Sequence, residues 1–273
     1  MEKSKAPYLY VLFAALLISL LIFIIPFTEK KEPPGRQSVS EEGVESKTNA
    51  LDLSAYNILI RAEGAYGGSK TISSLKAIQM NTTSLLKSEG GETATEKAYY
   101  RFPNRMRSEA HIGAETYIQA YDNGMAWVME NGVVSDGDLR TREILRKSLK
   151  HFPNFLIQAT DSASLAMIKG KSFIEGKPHY MIYVIDPDSD EFTLWIAMED
   201  FLVKRIDYPV YAGTTEEHMR LDFLSFREKK GLKLPYKVNI FLNGILVQET
   251  TVLDYEINPS LPDSLFEKPG TAG

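Results

Sequence analysis

The chain contains residue types that do chemistry, but not in the spacings that chemistry needs. Four histidines stand alone at 111, 151, 179 and 218. None has metal-ligand spacing, so each reads as a surface or hydrogen-bonded group. Gly170-Lys171-Ser172 has the ending of a phosphate loop, but Leu165 stands where the loop's first glycine belongs. Asp186-Pro187-Asp188-Ser189-Asp190-Glu191 resembles the start of a calcium loop. Glu191 takes the place of its glycine, and no glutamate closes it. The stretch reads as a solvated turn. There is no G-x-S-x-G elbow and no cysteine. Thiol nucleophiles, disulfides, thiolate metal sites and lipidation at cysteine are therefore excluded. No catalytic, metal or cofactor residue is assigned, and the chain is not read as an enzyme.

Function must then come from shape. The net charge of −5 gives no footprint for nucleic acid. Hydrophobic residues make up 44% of the 273, enough for a sizeable core. Aromatic and methionine residues are spread over many of the strands expected below. Phe102, Met106, Tyr117 and Met125 come from one half of the chain's middle. Trp127, Met129, Tyr180 and Trp195 follow. These eight are candidates for the lining of an apolar cavity, since methionine adapts to ligands of irregular shape. Their other reading is ordinary core.

Three regions must position them. Residues 6–28 carry no charge, and about 20 such residues span a bilayer core as a helix. Residues 1–28 are expected to be a transmembrane anchor in the inner membrane, with a cleaved signal peptide as the alternative. Residues 29–49 are charged and rich in Ser, Glu, Pro and Gly, and read as a flexible tether. Residues 50–270 form the folded part. A helix over 51–66 places Leu53, Tyr56 and Ile60 on one face, and Gly67-Gly68 stops it. About ten or eleven strands follow, mostly antiparallel, with period-two alternation. Leu242-Asn243-Gly244-Ile245 is the strongest turn signal. One helix over 138–152 interrupts the strands, with Asp138 as its cap. Ile144, Leu145, Leu149 and Phe152 form its apolar stripe and make it a candidate lid. Arg140, Arg142, Arg146, Lys147 and Lys150 make the opposite face basic. That face would meet anionic lipid, or the helix would pack flat as core.

Several segments in order resemble the LolA/LolB-like superfamily. They are AYGGSKTISSLKAIQMN, RFPNRMRSEA, QAYDNGMAWVMENG, TLWIAMEDFLVKRIDYP, FREKKGLKLPYKVNIFLNG and the closing INPSLPDSLFEKP. The resemblance covers roughly residues 55 to 270. It implies an α+β fold, a strongly curved antiparallel half-barrel wrapped around helices, and a periplasmic address. It implies an apolar cavity for an acyl chain of a lipid or lipoprotein, without catalysis. Arg101, Arg105 and Arg107 fall in the region of the family's functional arginine. The chain departs from the family in having neither a clear cleavage site nor a cysteine, so it looks tethered. A membrane protein partner is the rival expectation to lipid. The C-terminal Leu261, Leu265 and Phe266 are expected to fold back as a plug against the barrel's open edge.

Overall fold

The computed structural model describes residues 54–270, apart from 88–90, 153–155, 157–158, 162–163 and 213–214. The expected anchor and tether lie outside the described residues. Among the described residues, no helix is long and apolar enough to cross a membrane.

Helix α1 (Ala55–Ala65) is capped by Ser54, whose side chain accepts from the Asn57 amide. The short α2 (Ser69–Ser73) follows. A meander comes next: β1 (Ala77–Leu86), β2 (Glu92–Arg101), β3 (Arg105–Ile112), β4 (Glu115–Asp122), β5 (Met125–Glu130) and β6 (Val133–Asp136). Helix α3 (Leu139–His151) interrupts it. A second meander runs through β7 (Leu165–Ile174), β8 (Lys177–Ile185), β9 (Glu191–Ala197), β10 (Val203–Ala212), β11 (Thr215–Lys229), β12 (Leu232–Leu242) and β13 (Ile245–Ile257).

These strands form one 13-stranded antiparallel sheet. Beyond the ten or eleven expected, the short β6 and the bulged β7 are the additions. The order is β6-β5-β4-β3-β2-β1-β13-β12-β11-β10-β9-β8-β7. First and last strands pair in the middle, and the chain's midpoint supplies both edges. Helix α3 links those edges. It touches β10 and also β3, β4 and β5. On a flat sheet β4 and β10 would lie about 34 Å apart, at roughly 4.8 Å per strand. A helix of 13 residues is only about 20 Å long. The sheet must therefore curl around α3, and it stays unclosed.

Asn243 and Gly244 both have positive φ, 48° and 81°. That is the mirror-image turn which matches strand twist, and it sets Leu242 opposite Ile245. Gly67 has a second function besides stopping α1. Its φ is 117°, and a Cβ there would sit 2.1 Å from the carbonyl oxygen of Gly231. The end of α1 thus abuts the β11–β12 turn, where the Lys233 amide donates to the Tyr66 carbonyl.

The expected face of α1 is corrected. Tyr56 and Ile60 are exposed, while Ala55, Ile58, Leu59 and Ala62 are buried. Both sets recur at helical spacing, but only the second continues into buried Tyr66 and the sheet. Leu53 lies outside the described residues.

Candidate functional site

Helix α3 fills the concave side. Ile144, Leu145, Leu149 and Phe152 are all buried in the main core. Its opposite face does not await a headgroup. Lys147 and Lys150 are only 1% and 8% exposed. Lys150 Nζ lies 2.8, 2.6 and 2.5 Å from carboxylate oxygens of Asp186, Asp188 and Asp190. Arg146 donates to Asp190 at 2.5 and 2.7 Å and also holds Glu143. Lys147 Nζ donates to the Pro209 carbonyl at 2.6 Å. Arg140 pairs with Glu217. Four of the five basic residues are thus fastened to the protein itself, because buried cations need partners.

The turn 186–191 is corrected with them. Its tip is solvated as expected, with Pro187, Asp188, Ser189 and Glu191 exposed, but Asp186 and Asp190 form a buried acidic socket at 4% and 7% exposure. Asp186 Oδ1 also accepts the amides of Asp188 and Asp190. The three carboxylates face one another closely enough to hold a cation, and Lys150 is the cation they hold. Burial alone would raise the Asp190 pKa, but hydrogen bonds from Arg146 and Lys150 bring it far below the usual carboxylate range. Burial opposes the charge on Lys150, yet bonds to Asp186, Asp188 and Asp190 raise its pKa overall.

Beneath this latch lie polar groups left unsatisfied. His151, at 1% exposure, has its ring 4.1 Å from Tyr208 and 5.0 Å from Phe192. Among the described residues, neither ring nitrogen has a hydrogen-bond partner, nor do the hydroxyls of Tyr208 and Tyr100. Two other interior tyrosines differ. Tyr66 donates to the Val203 carbonyl and Tyr255 to that of Pro235. Each unpaired buried group costs about 1–3 kcal/mol, so this cluster is a local weakness. Burial, then the charge of Lys147, pushes the His151 pKa well below its usual value. The imidazole is therefore neutral. A separate polar band crosses β1–β3, where Glu96 accepts from Thr82 and Ser108. It is satisfied internally.

The eight lining candidates do not share one wall. Met106 is in the main core, with Phe102 and Tyr180 packed against it. Tyr117 packs on a smaller cluster of Leu86, Ala94 and Ala110. Trp127 and Met129 lie on the other face of β5, with Ile118 and Ala120. Met125 is 70% exposed. Trp195 faces away from buried Leu194 and Ile196, under the Arg205 guanidinium. Period-two alternation places neighbours on opposite faces, and aromatic character does not reveal which face turns inward.

No protein-family model and no curated protein matches the sequence. Solved structures do match. A LolA superfamily protein from Nitrosomonas europaea aligns over 79% of this chain and 98% of its own, at 14% identity and a TM-score of 0.53. A putative outer membrane lipoprotein-sorting protein domain from Vibrio parahaemolyticus aligns over 77% and 95%, at 9% identity and a TM-score of 0.50. This chain shares the fold of these two proteins.

On the outer face of the sheet lies the C-terminal segment. It does not plug the open edge, as the sequence suggested. It crosses β2, β3 and β5 instead, because those strands offer donors. Arg101 and Arg107 donate to the carbonyls of Leu261 and Leu265. Trp127 Nε1 donates to that of Phe266 at 2.8 Å. Arg101 and Arg105 pair with Asp263. Phe266 is fully buried, and Lys268 reaches Asp136 on β6. The three candidate arginines thus hold the protein's own tail.

A groove of about 500 Å³ lies where the β7–β8 and β9–β10 turns meet β11. Its walls include His179, Asp222 and Phe226, with the pairs Lys177–Glu199 and Lys204–Asp200. It is half-open, with polar and apolar walls in nearly equal parts, unlike the apolar slot expected.

Proposed function

We propose that this protein is a non-catalytic binding protein that holds an acyl chain of a lipoprotein or lipid on the concave side of its sheet. We further propose that the N-terminal segment tethers it to the inner membrane, with the folded part in the periplasm. The observation that carries the reading is the curved, unclosed 13-stranded sheet wrapped on the crossing helix α3, with α1 packed into the same core. The outer membrane lipoprotein-sorting domain of similar fold supports it.

Helix α3 occupies the concave side, so an acyl chain enters by displacing it. Burying about fourteen methylenes would contribute ~11 kcal/mol. Breaking one buried ion pair of α3 costs about 3–5 kcal/mol, and uncovering its four buried apolar side chains costs about 1.5–3 kcal/mol each. Gain and cost are of similar size, so the latch keeps the unloaded interior covered until lipid replaces the stripe. The test is titration of the folded part with a fluorescent fatty acid. Saturable binding supports the reading, and no binding of any apolar probe ends it.

One observation favours a second reading. Among the described residues, edge strand β7 pairs with β8 alone and is touched by α1, and it carries exposed Leu165, Met167, Ile168 and Phe173. A long apolar edge is a template for a partner's strand. Co-purification of a defined membrane protein, lost on Ile168→Lys, would support it.

A further inference from the structure

We propose that the core beneath α3, once the helix is displaced, is a recognition site for the ester carbonyls of an acyl lipid, with the hydroxyls of Tyr100 and Tyr208 as its hydrogen-bonding groups and His151 as their cover in the unloaded protein. This rests on the reading that lipid enters the concave side, and it names the part of the lipid that is recognised there.

The three residues come from β2, β10 and α3. Sheet curvature alone brings them together. His151 packs on Tyr208 with ring centroids 4.1 Å apart, and Tyr100 and Tyr208 belong to the same buried core cluster. All three are at most 1% exposed, and their polar atoms have no partner among the described residues.

Their chemistry selects the ligand. Each tyrosine hydroxyl has a hydrogen to give, while His151 moves away with α3. The matching group is uncharged, rich in acceptors and flanked by hydrocarbon. A bare alkyl chain would leave both hydroxyls unpaired. A charged headgroup would be costly to desolvate there. The nearby cations are not free to offset that cost, since Arg146 and Lys150 are held by Asp190 and its neighbours. A glyceryl diester meets every condition, with one carbonyl for each hydroxyl, and its two acyl chains would lie along the surrounding apolar core.

The experiment compares dioleoylglycerol with its dialkyl-ether counterpart, which has the same chains and no carbonyls. Both are delivered from cyclodextrin to the wild-type protein and to Tyr100→Phe/Tyr208→Phe. Each hydroxyl–carbonyl bond is expected to favour the ester about fivefold. The double variant is expected to bind both lipids alike, at the wild-type affinity for the ether, with a melting midpoint no lower than wild type. Equal wild-type binding of ester and ether would overturn the proposal. So would a preference that survives in the double variant. A clear fall in its melting midpoint would do the same, since the hydroxyls would then already be paired in the unloaded protein. If the wild type binds neither lipid, the broader lipid reading fails with it.

Discussion

Replacing Lys150 with methionine tests the latch directly. Methionine keeps most of the side-chain volume and removes the charge. Three carboxylates lose a partner at 2.8, 2.6 and 2.5 Å, but they do not lose equally. The Asp188 side chain is 70% exposed, so water replaces its partner, and its share is about 0–1 kcal/mol. Asp190 keeps both bonds from Arg146. Asp186, whose side chain is fully buried, keeps two backbone amides on Oδ1, and only its Oδ2 is stripped. Breaking a buried pair from one side costs about 3–5 kcal/mol, and the surviving partners place this case near 3. Urea unfolding, followed by far-UV circular dichroism, reads the change as a lower midpoint with an unchanged slope. Adding Asp186→Asn should recover part of the loss, because the stranded charge is then gone. A loss below about 1 kcal/mol would show that the pair behaves like a surface salt bridge and that α3 is not fastened by it.

Three further outcomes are expected. Phe266→Ala should destabilise by about 3–5 kcal/mol and shift the fluorescence of Trp127, which donates to the Phe266 carbonyl; an unchanged melting midpoint would mean the tail is loose. Gly67→Ala should cost more than about 1 kcal/mol, since its Cβ would meet a backbone oxygen at 2.1 Å, and a neutral result in thermal melts would contradict that packing. Stability should fall with acid in two windows. The folded-state pKa of His151 is depressed, so its contribution is complete above the unfolded value near 6.5 and is lost as pH falls below it, by up to about 1.4 kcal/mol per pH unit. Asp190 is also depressed, so its contribution is complete above about 3.9 and is lost only below that. His151→Phe should flatten the upper window in chemical unfolding curves, and a wild type equally stable at pH 7 and pH 5 would refute the assignment.

The parts of the fold that were legible in the sequence were governed by local rules. The Asn243-Gly244 turn, the Asp138 cap and the stripe Ile144, Leu145, Leu149 and Phe152 all appear where expected. Each depends on a few neighbouring residues. Strand β6 was too short to show a period, and β7 is an edge with a bulge between Ile168 and Gly170 that breaks its alternation. The candidate site was less legible, because its logic is long-range. Lys150 finds its socket some forty positions away, at Asp190, and a solvated basic face has the same local pattern. The signal available was the pairing of an unusually basic helix with an unusually acidic turn. Arg101, Arg105 and Arg107 stand as a group in the sequence, but their partners lie in the last residues of the chain. Nothing in the spacing of Tyr100, His151 and Tyr208 shows that curvature unites them.

The most direct test of the central claim is native mass spectrometry of the chain from residue 50 onward, purified from a bacterial periplasm without detergent and followed by lipid extraction. The account predicts a discrete added mass that extracts as an acyl lipid or acylated peptide. A clean unloaded mass that also ignores added lipid would contradict it and leave the β7 edge as the surface to pursue.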